Sequence, residues 1–136
     1  MYRVAAEGKK RVLVVEDQIE VQSLIRILLE RFNFETIEAY SVNDAVQILR
    51  KPPLPDIVLL DLMLPDVSGL ELLRQMRAKD YFNHLPVIIL SAIVDPDQIR
   101  AALETGADRY VTKPNLAHSL VRTVQETLRT GRRKTT

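Results

Sequence analysis

The sequence predicts an α/β fold, a doubly wound parallel sheet with helices on both faces. Three observations carry that expectation. Short aliphatic runs alternate with amphipathic stretches five times along the chain, as strand–helix repeats do. The first, third and fourth runs (residues 12–15, 57–60 and 87–90) are wholly aliphatic, as strands buried on both faces must be. Capping and turn residues fall between the two kinds of segment.

Strands are expected at residues 11–16, 35–38, 56–60, 87–91 and 109–112. Between them the period turns helical. In the first helix Val21, Leu24, Leu28 and Phe32 share a face, leaving Gln22, Arg26 and Glu30 elsewhere. Ser41 with Asp44, and Ser68 with Glu71, have the spacing of a capping side chain and its reciprocal acid. Pro52, Pro53 and Pro55 end the second helix and delay the third strand. Asp95 followed by Pro96 reads as an N-cap with proline at the first helical position. Gly106 fits the left-handed turn that closes the fourth helix. In the last helix Leu116, Leu120, Val124 and Leu128 repeat at fours, leaving Arg122, Glu126 and Arg129 for water.

The 136 residues fit one domain, with 46% hydrophobic and 27% charged residues. A net charge of +1 gives no field that would draw nucleic acid or an acidic membrane. With no cysteine, disulfides, thiolate metal sites and cysteine nucleophiles are excluded. No apolar run approaches the roughly 20 residues that span a bilayer, and residues 1–10 lack a signal-peptide apolar stretch. An intracellular, cytoplasmic protein is the expectation. Residues 1–9 read as an N-terminal extension, 10–129 as the domain and 130–136 as a basic tail.

The chemistry gathers at strand ends. The first strand ends in Glu16 and Asp17, the third runs into Asp61, and the fifth is followed by Lys113 and Pro114. In an open parallel sheet the carboxyl edge of the strands is where the binding crevice lies. Three carboxylates and a lysine there describe a divalent-metal site beside a phosphoryl acceptor. A carboxylate directly after four aliphatic residues would otherwise carry charge toward a dry core.

These elements, together with Ser91 after the fourth strand, resemble a response-regulator receiver domain, the phosphoacceptor half of a two-component signalling pair. Met63 to Gly69 reads MLPDVSG and Gly106-Ala107-Asp108 precedes Tyr110, which also fit. The resemblance covers roughly residues 10–129. It implies a flavodoxin-like sheet of order 2-1-3-4-5, with the first and third strands adjacent. It implies Asp61 as nucleophile, accepting a phosphoryl group as an acyl phosphate. Mg²⁺ would be held by Asp61, by Asp17 directly, by Glu16 through water and by the Met63 backbone carbonyl. Lys113 would pair with a phosphoryl oxygen, aimed by a cis peptide before Pro114. Ser91 would donate its hydroxyl to the attached group. Tyr110 would be the aromatic switch, outward before phosphorylation and inward after.

The implied role is a signalling domain rather than an enzyme, assisting only its own phosphorylation and slow dephosphorylation. Its partners would be a sensor histidine kinase or phosphotransfer protein, and a downstream protein bound through the fourth helix, fifth strand and fifth helix. A phosphorylation-dependent homodimer belongs to the same set of expectations; a DNA-binding domain within these residues does not. Met63 and Ile93 are expected to restrict attacking water, giving a long-lived phosphoryl group. Arg109 and Asn115 depart from the pattern of the family's winged-helix transcription factors, which weakens any inference of their dimer. Arg132, Arg133 and Lys134 read as a solvated tail, and His84 and His118 as surface residues outside the cluster.

Three alternatives compete with that reading. A magnesium-dependent phosphatase using an aspartyl phosphate needs a second acid two residues past the nucleophile, and Met63 stands there. A nucleotide or flavin site needs glycines at the first turn, which reads Glu16-Asp17-Gln18. A receiver fold used as a phosphorylation-independent interaction module stays open, because an intact acidic set does not establish that a kinase uses it.

Overall fold

The computed structural model describes residues 8–133. In chain order the elements are β1 (Lys10–Val15), α1 (Ile19–Glu30), β2 (Phe34–Ala39), α2 (Val42–Leu49), β3 (Ile57–Leu60), α3 (Gly69–Arg77), β4 (Val87–Ser91), α4 (Pro96–Thr105), β5 (Arg109–Thr112) and α5 (Leu116–Thr130). The strands form one sheet in the order β2-β1-β3-β4-β5, and every pairing is parallel. This is the flavodoxin-like doubly wound arrangement expected, with strand bounds within one residue of those read from the sequence.

Successive side chains of a strand point to opposite faces, and here both faces are dry. Leu13, Val15, Val58, Leu60, Val87 and Ile89 pack with α2, α3 and α4. Val12, Val14, Ile57, Leu59, Ile88 and Leu90 pack with α1 and α5. Each fully buried Leu or Ile contributes about 1.5–3 kcal/mol, so the central strands are held rigidly. Their carboxyl ends inherit that rigidity.

The caps behave largely as expected. Ser41 accepts from the Asp44 amide at 3.0 Å, and Asp44 answers by accepting from the Tyr40 amide. Ser68 caps the Leu70 amide, but Glu71 turns outward to Arg74 and Gln75 instead of closing a capping box. Asp95 caps α4, and Gly106 ends it at φ 130°. The α5 stripe is buried at Leu116, Leu120 and Val124, and Leu128 packs beside it.

Two expectations are corrected. The first concerns the buried face of α1. Its buried residues are Gln22, Ile25 and Leu29, whereas Leu24 and Phe32 are 41% and 54% exposed. The Gln22 amide is buried because it has three acceptors, the carbonyls of Val14, Glu16 and Ala39 at 2.9, 3.1 and 2.9 Å. Those acceptors offset the burial of its Nε2, although Gln22 Oε1 has no hydrogen-bond partner among the described residues.

The second concerns Arg132 and Arg133, which are not a solvated tail. Asp108, 2% exposed, spends one carboxylate oxygen on Arg77 (3.1 Å) and the Val87 amide (2.9 Å). Its other oxygen takes Arg132 Nε at 3.0 Å and the Arg133 amide at 2.9 Å. Arg132 also donates to the carbonyls of Asn83 and Gly106, and Arg133 to Leu103 and Ala107. Burial, and then the repulsion of Arg132, push the Arg77 guanidinium down to about 10, with Asp108 opposing them. Residues 1–7 and Lys134, parts of the expected extension and tail, lie outside the described residues.

Removing one member of a buried ion group strands the others. Asp108→Ala is therefore expected to lower unfolding stability by about 3–5 kcal/mol, and Arg132→Ala by about 1 kcal/mol, as read by urea denaturation. An Asp108→Ala protein as stable as the parent would show the cluster to be energetically idle.

Candidate functional site

The site lies where β1, β3 and β5 end at one sheet edge. β1 and β3 are neighbours, with Val15 opposite Leu60, and the Asp61 amide continues the ladder to the Val15 carbonyl at 3.0 Å. Glu16 is locked likewise, its amide donating to Ala39 at 2.9 Å. Glu16 and Asp61 thus stand directly after the ends of rigid strands, held by ladder-like bonds, and Asp17 follows Glu16 in a loop. Glu16 and Asp61 are buried and Asp17 is exposed. One carboxylate oxygen from each of the three lies within 4.8 Å of the other two.

Lys113 enters from the far side of the sheet edge. Its Nζ stands 2.9 Å from Glu16 Oε1 and 3.0 Å from Asp61 Oδ2. Contrary to the expectation, the peptide before Pro114 is trans; the cis bond of the described residues is Pro52–Pro53. Lys113 opens a short 3₁₀ turn, Lys113–Asn115, and its four-carbon stem spans the remaining distance to the acids.

The electrostatics show a site short of positive charge. Burial pushes the Glu16 carboxyl up to about 7, with the nearby charge of Asp61 acting the same way, against the Gln18 amide and Lys113. Burial works against the charge of Lys113 too, but hydrogen bonds and attraction from Glu16 and Asp61 outweigh it and raise the lysine. Apart from Lys113, Glu16 Oε1 has no polar partner among the described residues. A hard cation bound by the three acids would relieve the same desolvation that lifts Glu16, so the donor set fits an oxygen-liganded divalent ion.

The remaining expected residues also lie at this edge. Asp61 Oδ1 accepts from the Met63 amide at 3.1 Å, which sets the Met63 backbone beside the acceptor while its side chain is 66% exposed. Ser91, fully buried at the end of β4, accepts from the Ile93 amide at 3.2 Å. Tyr110 donates to the Ile93 carbonyl at 2.9 Å and packs, half-buried, against the α2–α3–α4 side of the core. Burial pushes its hydroxyl up, while Ser91 beside it pulls the other way. The ring is therefore turned inward, although the resemblance implies an outward ring before phosphorylation. His84 and His118 are exposed and stand apart from the cluster.

Sequence reasoning assigned no role to two residues that build the site. A Cβ on Gly69 would sit 2.0 Å from the Asp61 carbonyl oxygen, so only glycine lets α3 start against the acceptor's backbone. The signal was present in MLPDVSG, without a reason for the glycine. Gln22 holds the carbonyls at the ends of β1 and β2. Its signal was the alternative stripe Gln22, Ile25, Leu29, hidden because glutamine scores as polar.

Comparison with known proteins agrees with this geometry. The family model for the response regulator receiver domain matches residues 12–125. The phosphate regulon transcriptional regulatory protein PhoB of Escherichia coli K12 is 35% identical over 120 residues, 88% of this chain and 52% of that protein. The chain thus spans about half the length of the curated relatives it matches. A putative response regulator from Chloroflexus aurantiacus superposes with a TM-score of 0.84 at 30% identity, over 90% of this chain and 99% of its own. The Mn²⁺-bound form of response regulator Rcp1 gives 0.75 at 27% identity, over 87% of this chain and 91% of its own. Among the described residues, no helix is long and apolar enough to cross a membrane. The chain belongs to the response regulator receiver domain family of two-component signalling.

Proposed function

We propose that Asp61 accepts a phosphoryl group from a histidine of a sensor kinase or phosphotransfer protein, in a Mg²⁺-dependent reaction in the cytoplasm. The observation that carries this reading is the single lysine set at 2.9 and 3.0 Å between two buried carboxylates, with a third carboxylate within reach. Such a set is too negative to be stable alone and too well ordered to be incidental.

In the reaction an Asp61 carboxylate oxygen attacks phosphorus and a P–O bond forms. The P–N bond to the donor imidazole breaks, and its electron pair stays on that nitrogen. Asp17, Asp61 and the Met63 carbonyl, with Glu16 through water, would hold Mg²⁺, which neutralises negative charge on the incoming group. Lys113 moves its attraction from Asp61 to a phosphoryl oxygen, as a point charge can. Ser91 gives up its present role as acceptor and donates its hydroxyl to the same group. The chain's contribution is positioning and charge neutralisation, as phosphoryl transfer requires.

Output would follow from the neighbours of Ser91. A new partner for Ser91 changes what Tyr110 meets, and Tyr110 lies on the edge strand β5 between α4 and α5. The α4–β5–α5 surface would then shift between two packings, read by a downstream protein or a second copy of the domain. The exposed Met63 and half-buried Ile93 would slow hydrolysis by restricting water. One observation favours a phosphorylation-independent module instead: Tyr110 already lies inward, tied to Ile93.

Intact mass after incubation with Mg²⁺ and acetyl phosphate separates the two. The parent protein is expected to gain one phosphoryl group that Asp61→Asn does not. A mass unchanged at short times as well as long would leave the interaction module as the better account. Metal binding has its own signature. Mg²⁺ at about 100 times its Kd is expected to stabilise the fold by about 2.7 kcal/mol. Asp61→Asn should raise metal-free stability by on the order of 1 kcal/mol, by relieving repulsion, and lose most of the Mg²⁺ gain. Thermal unfolding without and with Mg²⁺ reads both, and a parent protein indifferent to the ion would refute the metal site.

A further inference from the structure

The proposed site is drawn from two separate pieces of backbone. Glu16 and Asp17 directly follow β1. Asp61 and Met63 begin the β3–α3 loop, of which Met63 and residues 65–68 are exposed. Leu62 and Leu64 pack partly on the core, and the Gly69 amide closes the loop by donating to the Leu62 carbonyl. Beyond Leu64 the loop reaches over to α2 through Asp66. Its Oδ1 accepts from the Val42 amide at 3.1 Å and its Oδ2 from the Asn43 amide at 3.0 Å.

Those amides are the first two of α2 and have no partner within the helix. Ser41 serves the third, that of Asp44. The start of α2 is itself fixed to the acidic strand. It follows β2, whose Ala39 lies opposite Val15, and the Ala39 carbonyl accepts from both the Glu16 amide and Gln22. The Asn43 amide, aided by Val42, holds the Asp66 carboxyl below the ordinary carboxylate range despite some desolvation. An anion at a helix start also suits the helix dipole.

We infer that Asp66 is a positioning residue, which braces the β3–α3 loop against α2 and so holds Asp61 and Met63 in register with Glu16 and Asp17. The inference rests on the metal-assisted acceptor reading above. A metal site taking ligands from two chain segments depends on the spacing between them. Without Asp66 the distal half of the loop loses its charged anchor, while every proposed ligand stays in place chemically. The MLPDVSG motif thereby contains two separate devices: Gly69 for close approach to Asp61, and Asp66 for the brace.

The test is a Mn²⁺ titration, following the free ion by electron paramagnetic resonance, on the parent, Asp66→Ala, Asp66→Asn and Ser41→Ala. Asp66→Ala is expected to bind about tenfold more weakly or worse, the usual cost of losing a group that orients metal ligands. Asp66→Asn keeps one acceptor oxygen and should fall between it and the parent. Ser41→Ala removes the other cap of α2 without touching the loop, so it should lower the melting temperature and leave Mn²⁺ affinity unchanged. Parent-like affinity in Asp66→Ala would overturn the inference. So would an equal loss in Ser41→Ala, which would mark the effect as general loosening of α2. A parent protein that binds no Mn²⁺ would instead sink the functional reading on which this one rests. Should Asp66→Ala fail to fold, the Asp66→Asn and Ser41→Ala pair decides alone.

Discussion

The structure turns on a charge imbalance at the end of a rigid sheet. Glu16 and Asp61 are carried to the carboxyl edge by strands dry on both faces, so neither can swing into water to escape the other. Among the described residues, Lys113 is the one cation paired with them. Coulombic repulsion between close carboxylates grows as solvent is excluded, and here the scaffold forbids relaxation. Burial, with the charge of Asp61 adding to it, lifts the Glu16 carboxyl to about 7. A protein selected for stability alone would have no use for it.

Holding such a cluster together requires bracing, and it comes from unexpected places. Gln22 reaches from α1 to tie the carbonyls of Val14, Glu16 and Ala39. Gly69 lets α3 begin against the Asp61 backbone, and Asp66 fastens the same loop to α2. Three helices therefore converge on the ends of β1, β2 and β3 through polar contacts. The apolar core sets where the strands lie, and these contacts set the ångström-scale spacing at their tips. Polar contacts serve this purpose better than apolar ones, because their geometry is directional.

Much of this was legible in the sequence. Aliphatic runs of four located β1, β3 and β4 because strands buried on both faces need no alternation. Glu16, Asp17, Asp61, Ser91 and Lys113, at or just past the ends of four of the five strands, located the site and, through resemblance, its family. What stayed hidden shares one physical cause: a polar side chain that finds its partners only in three dimensions. Gln22 was placed off the apolar face because its three acceptors belong to carbonyls brought together by the sheet. Arg132 and Arg133 read as a solvated tail because the buried Asp108 that binds them is 24 and 25 residues away. Asp66 carried no signal of its own within MLPDVSG, since its partners at Val42 and Asn43 are backbone amides that any sequence would supply. The α1 stripe was misjudged for the converse reason, as Leu24 and Phe32 are apolar yet left exposed.

The two buried acidic centres of the molecule are resolved in opposite ways, and the contrast bears on which one is functional. Asp108 is served at both oxygens, by Arg77 and a backbone amide on one side and by Arg132 and a backbone amide on the other. Guanidinium forks fix such a centre and leave it nothing to bind. Among the described residues, the edge formed by Glu16, Asp17 and Asp61 has one ammonium for three carboxylates, and Asp17 stays open to solvent. A closed centre stabilises whichever packing it belongs to. An open one gains stability only when a cation or a changed Asp61 arrives, and that dependence is the physical requirement for a switch. The fold thus keeps its closed ion cluster at one end of β5 and the open acidic edge at the other, so that a change of partners at the open edge would not unfasten the domain.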